Sequence, residues 1–451
     1  MLLANKFRVL YESPDPATVF AYSPGICRLA SGRLVATMDQ GGPGVKDLSG
    51  PKGLRGEGKH AWQGRVWTSD DGGETWTVRG LFPFMHARPF AVGDALYILG
   101  HDADLCIIRS DDEGETWSEP YFLTQGEHWH QSACNVHYAG GRVYLVMEKR
   151  ISFNHPGWPV SELAPVLMAG VVMDDLTQRE SWVFASEFSF GDIRQVPGLI
   201  PVPFWDNGAT DRAGKRVMHP PGWLETNVVQ FTDPEHIWHD SQGKTFHLWM
   251  RAHTGGTNLA CIAKVVEAAD GSLETQLQRA PSGTEMLYVP CPGGQMRFYI
   301  LQDPVSGLFW LLSSVATDSM VHPDRMGADR YNLPNNERHI LALHFSKNCI
   351  DWCFAGVVTR GETPQQARHY ASMVIDGDDV HVLARSGDHR AKSAHDGNLI
   401  TLHTVRSFRD LVYIQLYKFL LIYSVRIEYD AQWACTARVL CSRWPGTLFY
   451  F

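Results

Sequence analysis

An eight-residue pattern occurs twice near the start of the chain, as SDDGGETW from Ser69 to Trp76 and as SDDEGETW from Ser110 to Trp117. Both copies read Ser-x-Asp-x-Gly-x-Thr-Trp. In such a segment the Asp can cap a tight turn, the Gly can adopt a positive φ, and the Trp can pack against the next strand. Because a repeated turn pattern indicates a repeated supersecondary unit, we expect an all-β repeat fold in which these turns are structural.

Six β-patterned hairpins, each followed by outer strands, succeed one another along the chain. The outer strands of the sixth unit are assigned to residues 398–413. Alternating apolar residues between regularly spaced turns predict a six-bladed β-propeller, with a seventh blade between Phe184 and Trp223 as the alternative. The inner hairpins turn at Ser31-Gly32, Gly93-Asp94, Gly140-Gly141 and Gly377-Asp378, while the fourth begins at Glu225 and the fifth runs from Gln295 to Ser314.

The propeller is predicted to span residues 1–413. Residues 414–451 are rich in aromatic and aliphatic side chains and lack the Gly and Asp turn residues of the blades. We therefore expect an atypical C-terminal tail, which is either a closing strand with a poorly ordered end or an artefact of the gene model.

Composition limits the partners of the chain. The 451 residues are 44% hydrophobic, enough for a large core, and they carry a formal net charge of −9 without a basic run that would favour nucleic acid. Neither an export signal nor a membrane-length apolar stretch is found, so a cytoplasmic location is the default expectation. The nine cysteines are scattered and show no zinc spacing.

Hairpin register predicts which side chains meet at the centre. In a propeller, the innermost strands begin and their partners end around one funnel, and residues equidistant from a two-residue turn face each other. Counting outward from Gly93-Asp94 places His86 opposite His101, with Arg88 one pleat further in.

The same count brings further polar residues to this funnel. It pairs Tyr370 with Arg385 and His369 with Ser386. It also pairs Gln131, beside His130, with Arg150. In the fourth blade, Glu225 is expected to open the inner strand, and Arg251 and His253 to close its partner. Arg338, which precedes an outer strand, either joins the mouth or caps a loop. Cations and proton-transfer groups in one place suit an anionic sugar.

The chain resembles the sialidase-like β-propellers, in which the repeated turn, the Asp-box, recurs on successive blades. The resemblance implies that Glu225 and Arg251 match the Glu and Arg that share one blade in sialidases, and that Tyr370 matches the nucleophilic tyrosine. At residues 22–25, the sequence Tyr-Ser-Pro-Gly replaces the Arg-Ile-Pro motif that supplies the first of three carboxylate-binding arginines. The candidates for the third arginine are Arg297, Arg338 and Arg385.

The overall plan is also similar to that of propeller-fold polysaccharide lyases, including rhamnosyl-glucuronate lyases. These enzymes break the bond next to a uronic acid by β-elimination, which requires a base, an acid and a neutralised carboxylate. The resemblance implies that His86 and His101 are base and acid, with Arg251 or Arg385 as the neutralising group.

We therefore expect a carbohydrate-active enzyme that cleaves a glycosidic linkage at an acidic sugar of an oligosaccharide or polysaccharide, by hydrolysis or by elimination. The alternative is a non-catalytic glycan-binding propeller. No cofactor is predicted. His236 and His239, with Asp233 and Asp240, have a spacing that could ligate a cation, but local hydrogen bonds are the favoured interpretation. Tryptophans near funnel-side loops that could stack on sugars are Trp62, Trp129, Trp223 and Trp238.

Overall fold

The computed structural model describes residues 2–4, 6–54, 61–193, 219–327, 330 and 332–412. These residues form six antiparallel sheets, so the predicted six-bladed β-propeller is confirmed. The chain divides into a compact unit from Met1 to Phe408 and a second unit from Arg409 to Phe451. The predicted tail, residues 414–451, and most of the segment considered for a seventh blade lie outside the described residues. No described helix is both long and apolar enough to cross a membrane.

Short strands account for most of the described structure. The helical segments are α1 (Phe190–Ile193) and single 3₁₀ turns at Val45–Asp47, Val160–Glu162, Arg179–Ser181, Pro323–Arg325 and Phe408–Leu411. In chain order the strands are β1 (Phe7–Glu12), β2 (Phe20–Arg28), β3 (Leu34–Gly41), β4 (Gln63–Ser69), β5 (Thr77–Phe82), β6 (Met85–Val92), β7 (Ala95–Asp102), β8 (Asp104–Ser110), β9 (Tyr121–Phe122), β10 (Trp129–His130), β11 (His137–Ala139), β12 (Arg142–Arg150), β13 (Leu163–Val171), β14 (Trp182–Phe184), β15 (Gly222–Val229), β16 (Thr245–His253), β17 (Leu259–Glu267), β18 (Leu273–Arg279), β19 (Glu285–Met286), β20 (Tyr288–Pro290), β21 (Tyr299–Gln302), β22 (Phe309–Ser314), β23 (Ile340–Ser346), β24 (Cys353–Arg360), β25 (Arg368–Asp376), β26 (Asp379–Ser386) and β27 (Leu399–Val405).

The blades follow the order of the chain. Blade 1 contains β2–β5, blade 2 contains β6–β9, blade 3 contains β10–β14, blade 4 contains β15–β20 and blade 5 contains β21–β24. Blade 6 is built from β25, β26 and β27, and its fourth, outermost strand is β1. The prediction that residues 398–413 supply all outer strands of this blade is wrong, because β1 pairs with β27 and residues 408–411 form a 3₁₀ turn.

The repeated octapeptides form the predicted turns of the outer hairpins. Asp71 Oδ1 accepts hydrogen bonds from the Ser69 hydroxyl, at 2.8 Å, and from the Thr75 amide, at 2.8 Å, while Gly73 has a φ of +86°. The second copy repeats these contacts. Because Ser69 pairs with Leu34 at the start of β3, this turn lies on the face that carries the inner hairpin turns, away from the funnel.

Apolar side chains from neighbouring sheets pack together and hold the blades in a ring. Between blades 1 and 2, Val35 and Val66 share a buried cluster with Ile98, and between blades 3 and 4, Val146 packs with Leu248. Such close packing keeps the innermost strands at fixed positions around the axis.

Four of the innermost strands carry a bulge at their funnel end. The bulged residues are Ser23, His86, Glu225 and Tyr370, with φ angles of 37°, 59°, 58° and 49°. A positive φ at a residue other than Gly is strained by about 1–3 kcal/mol, and bulges redirect side chains next to functional sites. Three of the four residues are ones that the sequence placed in the funnel.

The bulges shift the register by one residue, so several predicted pairs are wrong. Met85, not His86, is opposite His101, and His369, not Tyr370, is opposite Arg385. Arg368 is opposite Ser386. Glu225 lies inside β15 and does not open it.

In blade 3 the ladder is interrupted between β10 and β11. His137 pairs with Tyr144 in the predicted register, but His130 pairs with Glu148. The predicted pairing of Gln131 with Arg150 is therefore wrong.

Candidate active site

One position is polar on the second strand of five blades. In the four blades with a bulge, this position pairs with the residue that precedes the bulged residue. In blade 3, whose described residues have no such bulge, it pairs with His130. All five residues are buried, with relative exposures between 0% and 3%. The pairs are Tyr22 with Asp39, Met85 with His101, His130 with Glu148, Leu224 with Arg251, and His369 with Arg385. Together with the bulged residues, they form a polar layer across the funnel, which we call the site ring.

Tyr370, Glu225 and Arg251 form one connected group in this ring. Arg251 Nη1 donates to the Tyr370 hydroxyl at 2.7 Å and to Glu225 Oε2 at 3.2 Å. The Tyr370 phenol and the Glu225 carboxylate therefore share one donor nitrogen, Arg251 Nη1. Burial raises the pKa of Tyr370, and Arg251 opposes this rise. The phenol is therefore protonated at neutral pH and has a carboxylate in place to accept its proton.

Two more arginines flank the Tyr370 ring. The guanidinium carbons of Arg338 and Arg385 lie 5.5 and 5.3 Å from the ring centre. Asn336 Oδ1 accepts from Arg338 Nε at 2.7 Å, and His369 Nδ1 lies 3.1 Å from Arg338 Nη1. Burial, with Arg338 adding to it, lowers the pKa of His369 well below its usual value, so this imidazole is neutral and accepts. The structure thus brings Arg338, His369 and Arg385 together at Tyr370.

Three histidines form a second group on the blade 2 and blade 3 side of the ring. His86 Nδ1 and His101 Nε2 are 2.8 Å apart, and the His86 and His130 ring centres are 4.8 Å apart. Burial lowers the pKa of both His86 and His101 well below the usual value, and the neighbouring imidazoles add to this effect. A neutral pair at this distance holds one shared hydrogen bond, in which one ring donates and the other accepts.

Two buried carboxyl groups of the site ring, Asp39 and Glu148, were missed from the sequence. Asp39 Oδ1 accepts from the His86 amide at 2.9 Å, and Glu148 Oε1 accepts from the Thr226 amide at 3.1 Å. Each carboxyl group therefore holds the bulge of another blade. Burial raises the pKa of Asp39 to about 7 and also raises that of Glu148.

A sequence signal for these residues exists. In the hairpins with two-residue turns, the seventh residue after the turn is Asp39, His101, Glu148 or Arg385. Counting to one shared position in every hairpin finds the carboxyl groups, whereas a search for exposed polar residues does not.

The remaining predicted residues lie around the ring. Gln131 is fully buried, and its Nε2 donates to the Thr226 carbonyl at 3.2 Å. His253 is opposite Gly222, and its ring centre is 5.0 Å from that of Trp158. Arg88 lies deeper, on β6 beyond the bulge, where its Nη2 donates to the Ser132 carbonyl at 3.3 Å.

Two tryptophans border the ring. Trp158 is half-buried, and its ring centre lies 5.6 Å from the Arg251 guanidinium carbon. The Trp62 ring contacts that of Tyr22 at a centre-to-centre distance of 5.7 Å. Of the other tryptophans considered, Trp129 and Trp223 are buried in cores, and Trp238 packs with Phe231 and His247.

The candidate cation residues instead make local hydrogen bonds. His239 Nδ1 lies 2.9 Å from the Phe231 carbonyl, and His236 Nδ1 accepts from the Trp238 amide at 3.1 Å. Within the described ranges, no cluster of three or more His, Cys, Asp or Glu side chains could hold a metal ion.

The structure therefore defines a six-bladed propeller whose funnel holds a Tyr–Glu–Arg group, two further arginines and a histidine cluster. Neither a family model nor a curated protein matches the chain. Among solved structures, it is similar to a Trypanosoma rangeli sialidase in complex with 2,3-difluorosialic acid, with a TM-score of 0.51 and 12% identity over 92% of this chain and 61% of that one. It is also similar to the Hadza microbial sialidase Hz136, with a TM-score of 0.50 and 14% identity over 89% of this chain and 68% of that one. A Penicillium chrysogenum α-L-arabinanase complexed with arabinobiose aligns with a TM-score of 0.47 and 10% identity over 91% and 99% of the two chains.

These likenesses show that the fold is that of the sialidase-like β-propellers. The chain spans about three fifths of the length of the Trypanosoma rangeli sialidase.

Removing the Arg251 side chain is expected to destabilise the fold strongly. Arg251 and Glu225 side chains are both 2% exposed, so Arg251→Met would leave Glu225 buried without its ion-pair partner. Breaking a buried pair in this way costs about 3–5 kcal/mol in the free energy of unfolding. Urea denaturation of Arg251→Met, Glu225→Leu and the double variant measures the coupling, and we expect the double variant to recover part of the loss.

Arg8 is a matched control, because its ion pair with Glu74 is about half exposed on both sides. Arg8→Met should change the unfolding free energy by about 0–1 kcal/mol. An equal effect of the Arg8 and Arg251 substitutions would contradict the buried pairing.

Proposed function

We propose that this protein cleaves the glycosidic bond of a sugar that carries a carboxylate, with Tyr370 as the nucleophile. The observation that carries the proposal is the contact network in which Arg251 Nη1 donates to the Tyr370 hydroxyl, at 2.7 Å, and to Glu225 Oε2, at 3.2 Å. A phenol attacks well only when a base removes its proton, and the Glu225 carboxylate, bound to the same Arg251 nitrogen as the phenol, is the base in this proposal.

Positive charge around Tyr370 supports an anionic substrate. Arg251 donates to its hydroxyl, and Arg338 and Arg385 flank its ring. Guanidinium groups bind carboxylates through paired hydrogen bonds, so a sugar carboxylate would be drawn to this side of the funnel. The half-buried Trp158, next to Arg251, offers an apolar face to a sugar ring.

The proposed hydrolysis proceeds in two steps. In the first, the Tyr370 oxygen forms a bond to the anomeric carbon, the phenolic proton passes to Glu225, and the bond to the leaving oxygen breaks. The leaving oxygen takes up a proton from solvent, because the His86 imidazole of the same ring of residues is neutral. In the second step, neutral His86 takes a proton from water, which attacks the anomeric carbon and releases Tyr370, while Glu225 returns its proton to the phenol. His86 then gives its proton back to solvent.

The histidine pair favours a second candidate reaction, β-elimination at a uronic acid. His86 and His101 are neutral and 2.8 Å apart, so His86 could remove the proton at C5 while an arginine neutralises the carboxylate. The C–O bond to the leaving sugar then breaks as the C4–C5 double bond forms, and the leaving oxygen takes up the proton that His86 removed from C5.

Product analysis separates these reactions. The protein is incubated with sialosides, rhamnosyl-glucuronates and other uronate-containing oligosaccharides, and products are read by mass and by near-ultraviolet absorbance. Hydrolysis adds the mass of water without new absorbance, whereas elimination gives an unsaturated uronate that absorbs. Binding of acidic oligosaccharides without any product would overturn both reactions and favour the non-catalytic glycan-binding alternative.

His86→Ala is expected to lower kcat by about 10²–10⁴-fold in either reaction, because it removes a proton-transfer group. His101→Ala should have a smaller effect of the same sign, since His101 orients His86 through their hydrogen bond. Steady-state kinetics on the best substrate of the panel measures both. The exposed His322 is a control, and turnover unchanged in both ring variants would remove the histidines from the mechanism.

A further inference from the structure

Two buried arginines lie in the central channel just below the site ring. Arg88 follows the His86 bulge on β6, and Arg297 precedes β21 on the opposite blade. The residues are 2% and 1% exposed. Each uses one nitrogen in a protein contact, Arg88 Nη2 to the Ser132 carbonyl at 3.3 Å and Arg297 Nη2 to the Ser372 hydroxyl at 2.8 Å. Nε and Nη1 of both have no hydrogen-bond partner among the described residues.

Ser372 and the chain at residues 132–133 place the two guanidinium groups at one level. The Ser372 hydroxyl that meets Arg297 lies 2.7 Å from the Pro24 carbonyl and 3.1 Å from the Ala133 carbonyl. The carbonyl bound by Arg88 belongs to Ser132, the residue next to Ala133. The contacts therefore link blades 1, 2, 3, 5 and 6 across the channel.

The charges of these arginines are not offset by an ion pair within the described part of the chain. Burial lowers the pKa of Arg88; Cys134, Glu148 and Tyr299 oppose this fall, and the positive charge of Arg297 adds to it. Arginine nevertheless stays protonated in proteins, and a buried charge without a counterion is strongly unfavourable. The four nitrogens without a partner among the described residues, on two positively charged side chains, therefore favour a ligand that accepts hydrogen bonds and carries negative charge.

A route to this place exists from the face that carries the inner hairpin turns. A cavity of about 760 Å³ occupies that half of the channel and is lined by the inner strands of all six blades. Pro89, the residue after Arg88, and Tyr299, whose ring centre lies 5.9 Å from the Arg297 guanidinium carbon, belong to its wall. The cavity therefore leads to the arginine pair from the side opposite to Tyr370.

We propose that a small monovalent inorganic anion of the halide class binds between Arg88 and Arg297, at a site separate from the one around Tyr370. A halide accepts N–H donors from several directions and brings no hydrogen that would need an acceptor. Because its two arginines belong to opposite blades, the bound anion links β6 to the strand end before β21 and stabilises the ring.

Thermal unfolding at constant ionic strength tests this site without reference to activity. Sodium chloride or bromide replaces sodium gluconate, whose anion is too large for the place between the two side chains. We expect the melting temperature to rise by a few degrees and to saturate with halide, since a ligand that binds only the native state stabilises it. A crystal grown with bromide should show an anomalous peak in contact with both guanidinium groups.

Variants make the test specific. Arg297→Met should abolish the saturable halide response. If that variant does not fold, Ser372→Ala keeps both charges, removes the hydroxyl that positions Arg297, and should weaken halide binding about tenfold, as expected for loss of one hydrogen bond to a charged group. Arg8→Met, on the surface, should respond like the parent protein. The proposal is overturned if chloride and gluconate give the same melting temperature and the bromide crystal shows only ordered water between the two arginines.

Discussion

Replacing Tyr370 by Phe is expected to abolish turnover while the protein keeps its fold. The substitution removes one oxygen, the proposed nucleophile, and leaves the ring between Arg338 and Arg385 in place. Loss of a nucleophile that works together with a base lowers kcat by about four orders of magnitude or more. Steady-state kinetics on a substrate found in the panel, with circular dichroism to verify folding, measures the effect.

Tyr121 provides a matched control, because it is an exposed tyrosine on the outer strand β9. Tyr121→Phe should leave kcat unchanged. A Tyr370→Phe protein that still releases an ultraviolet-absorbing product would show that elimination, with the histidines as proton-transfer groups, is the reaction. A variant that retains hydrolysis at the parent rate would refute the nucleophile assignment.

Acidification is expected to unfold the protein between about pH 6.5 and pH 4 with uptake of several protons. Seven buried histidines have a pKa below the usual value of about 6.5, mainly because burial disfavours the charged form. Their native forms stay neutral at a pH where the unfolded chain binds protons, so each contributes stability that is present above pH 6.5 and is lost as the pH falls. These residues are His101, His247, His253, His344, His369, His381 and His403.

Two carboxyl groups oppose this effect. The pKa of Asp39 is about 7 and that of Glu148 is raised, so these groups bind protons in the native state before they do so in the unfolded chain. Because the histidines are more numerous, the net slope keeps its sign, and each proton taken up on unfolding is worth about 1.4 kcal/mol per pH unit.

Urea unfolding at a series of pH values measures the number of protons. His403→Gln, on the outer strand β27, should reduce the pH dependence by about one proton, and the exposed His322→Gln should leave it unchanged. Stability that stays constant from pH 7 to pH 4.5 would contradict the neutral state of the buried histidines.

The turn residues made the architecture predictable from the sequence. The octapeptides and the Gly-containing hairpin turns located the blades, because these turns depend on local chemistry. The strand pairing that closes the ring was not predictable in the same way, because its partners β1 and β27 lie near opposite ends of the described chain. No local sequence pattern in β1 indicates its pairing with β27.

The sequence predicted which residues belong to the site better than it predicted which residues pair with each other across the strands. Counting from the turns brought Tyr370, His86 and Arg251 to the funnel, but each bulge adds a residue and shifts the pairs by one. His86 and Tyr370 have a positive φ although neither is a glycine, so the sequence does not indicate these bulges. Asp39 and Glu148 were missed because they stand in apolar strands as buried carboxyl groups, where their role is visible only once another blade is in place.

The pairing of the first strand with the last blade makes that blade the seam of the ring. Tyr370 and Arg385 lie on β25 and β26, in the sheet whose outer edge β1 covers. If β1 detached, β27 would expose an unpaired edge and the blade that carries the proposed nucleophile would be the first to loosen. Fusions or deletions at the amino terminus, far away in sequence, therefore bear directly on the chemistry of the funnel.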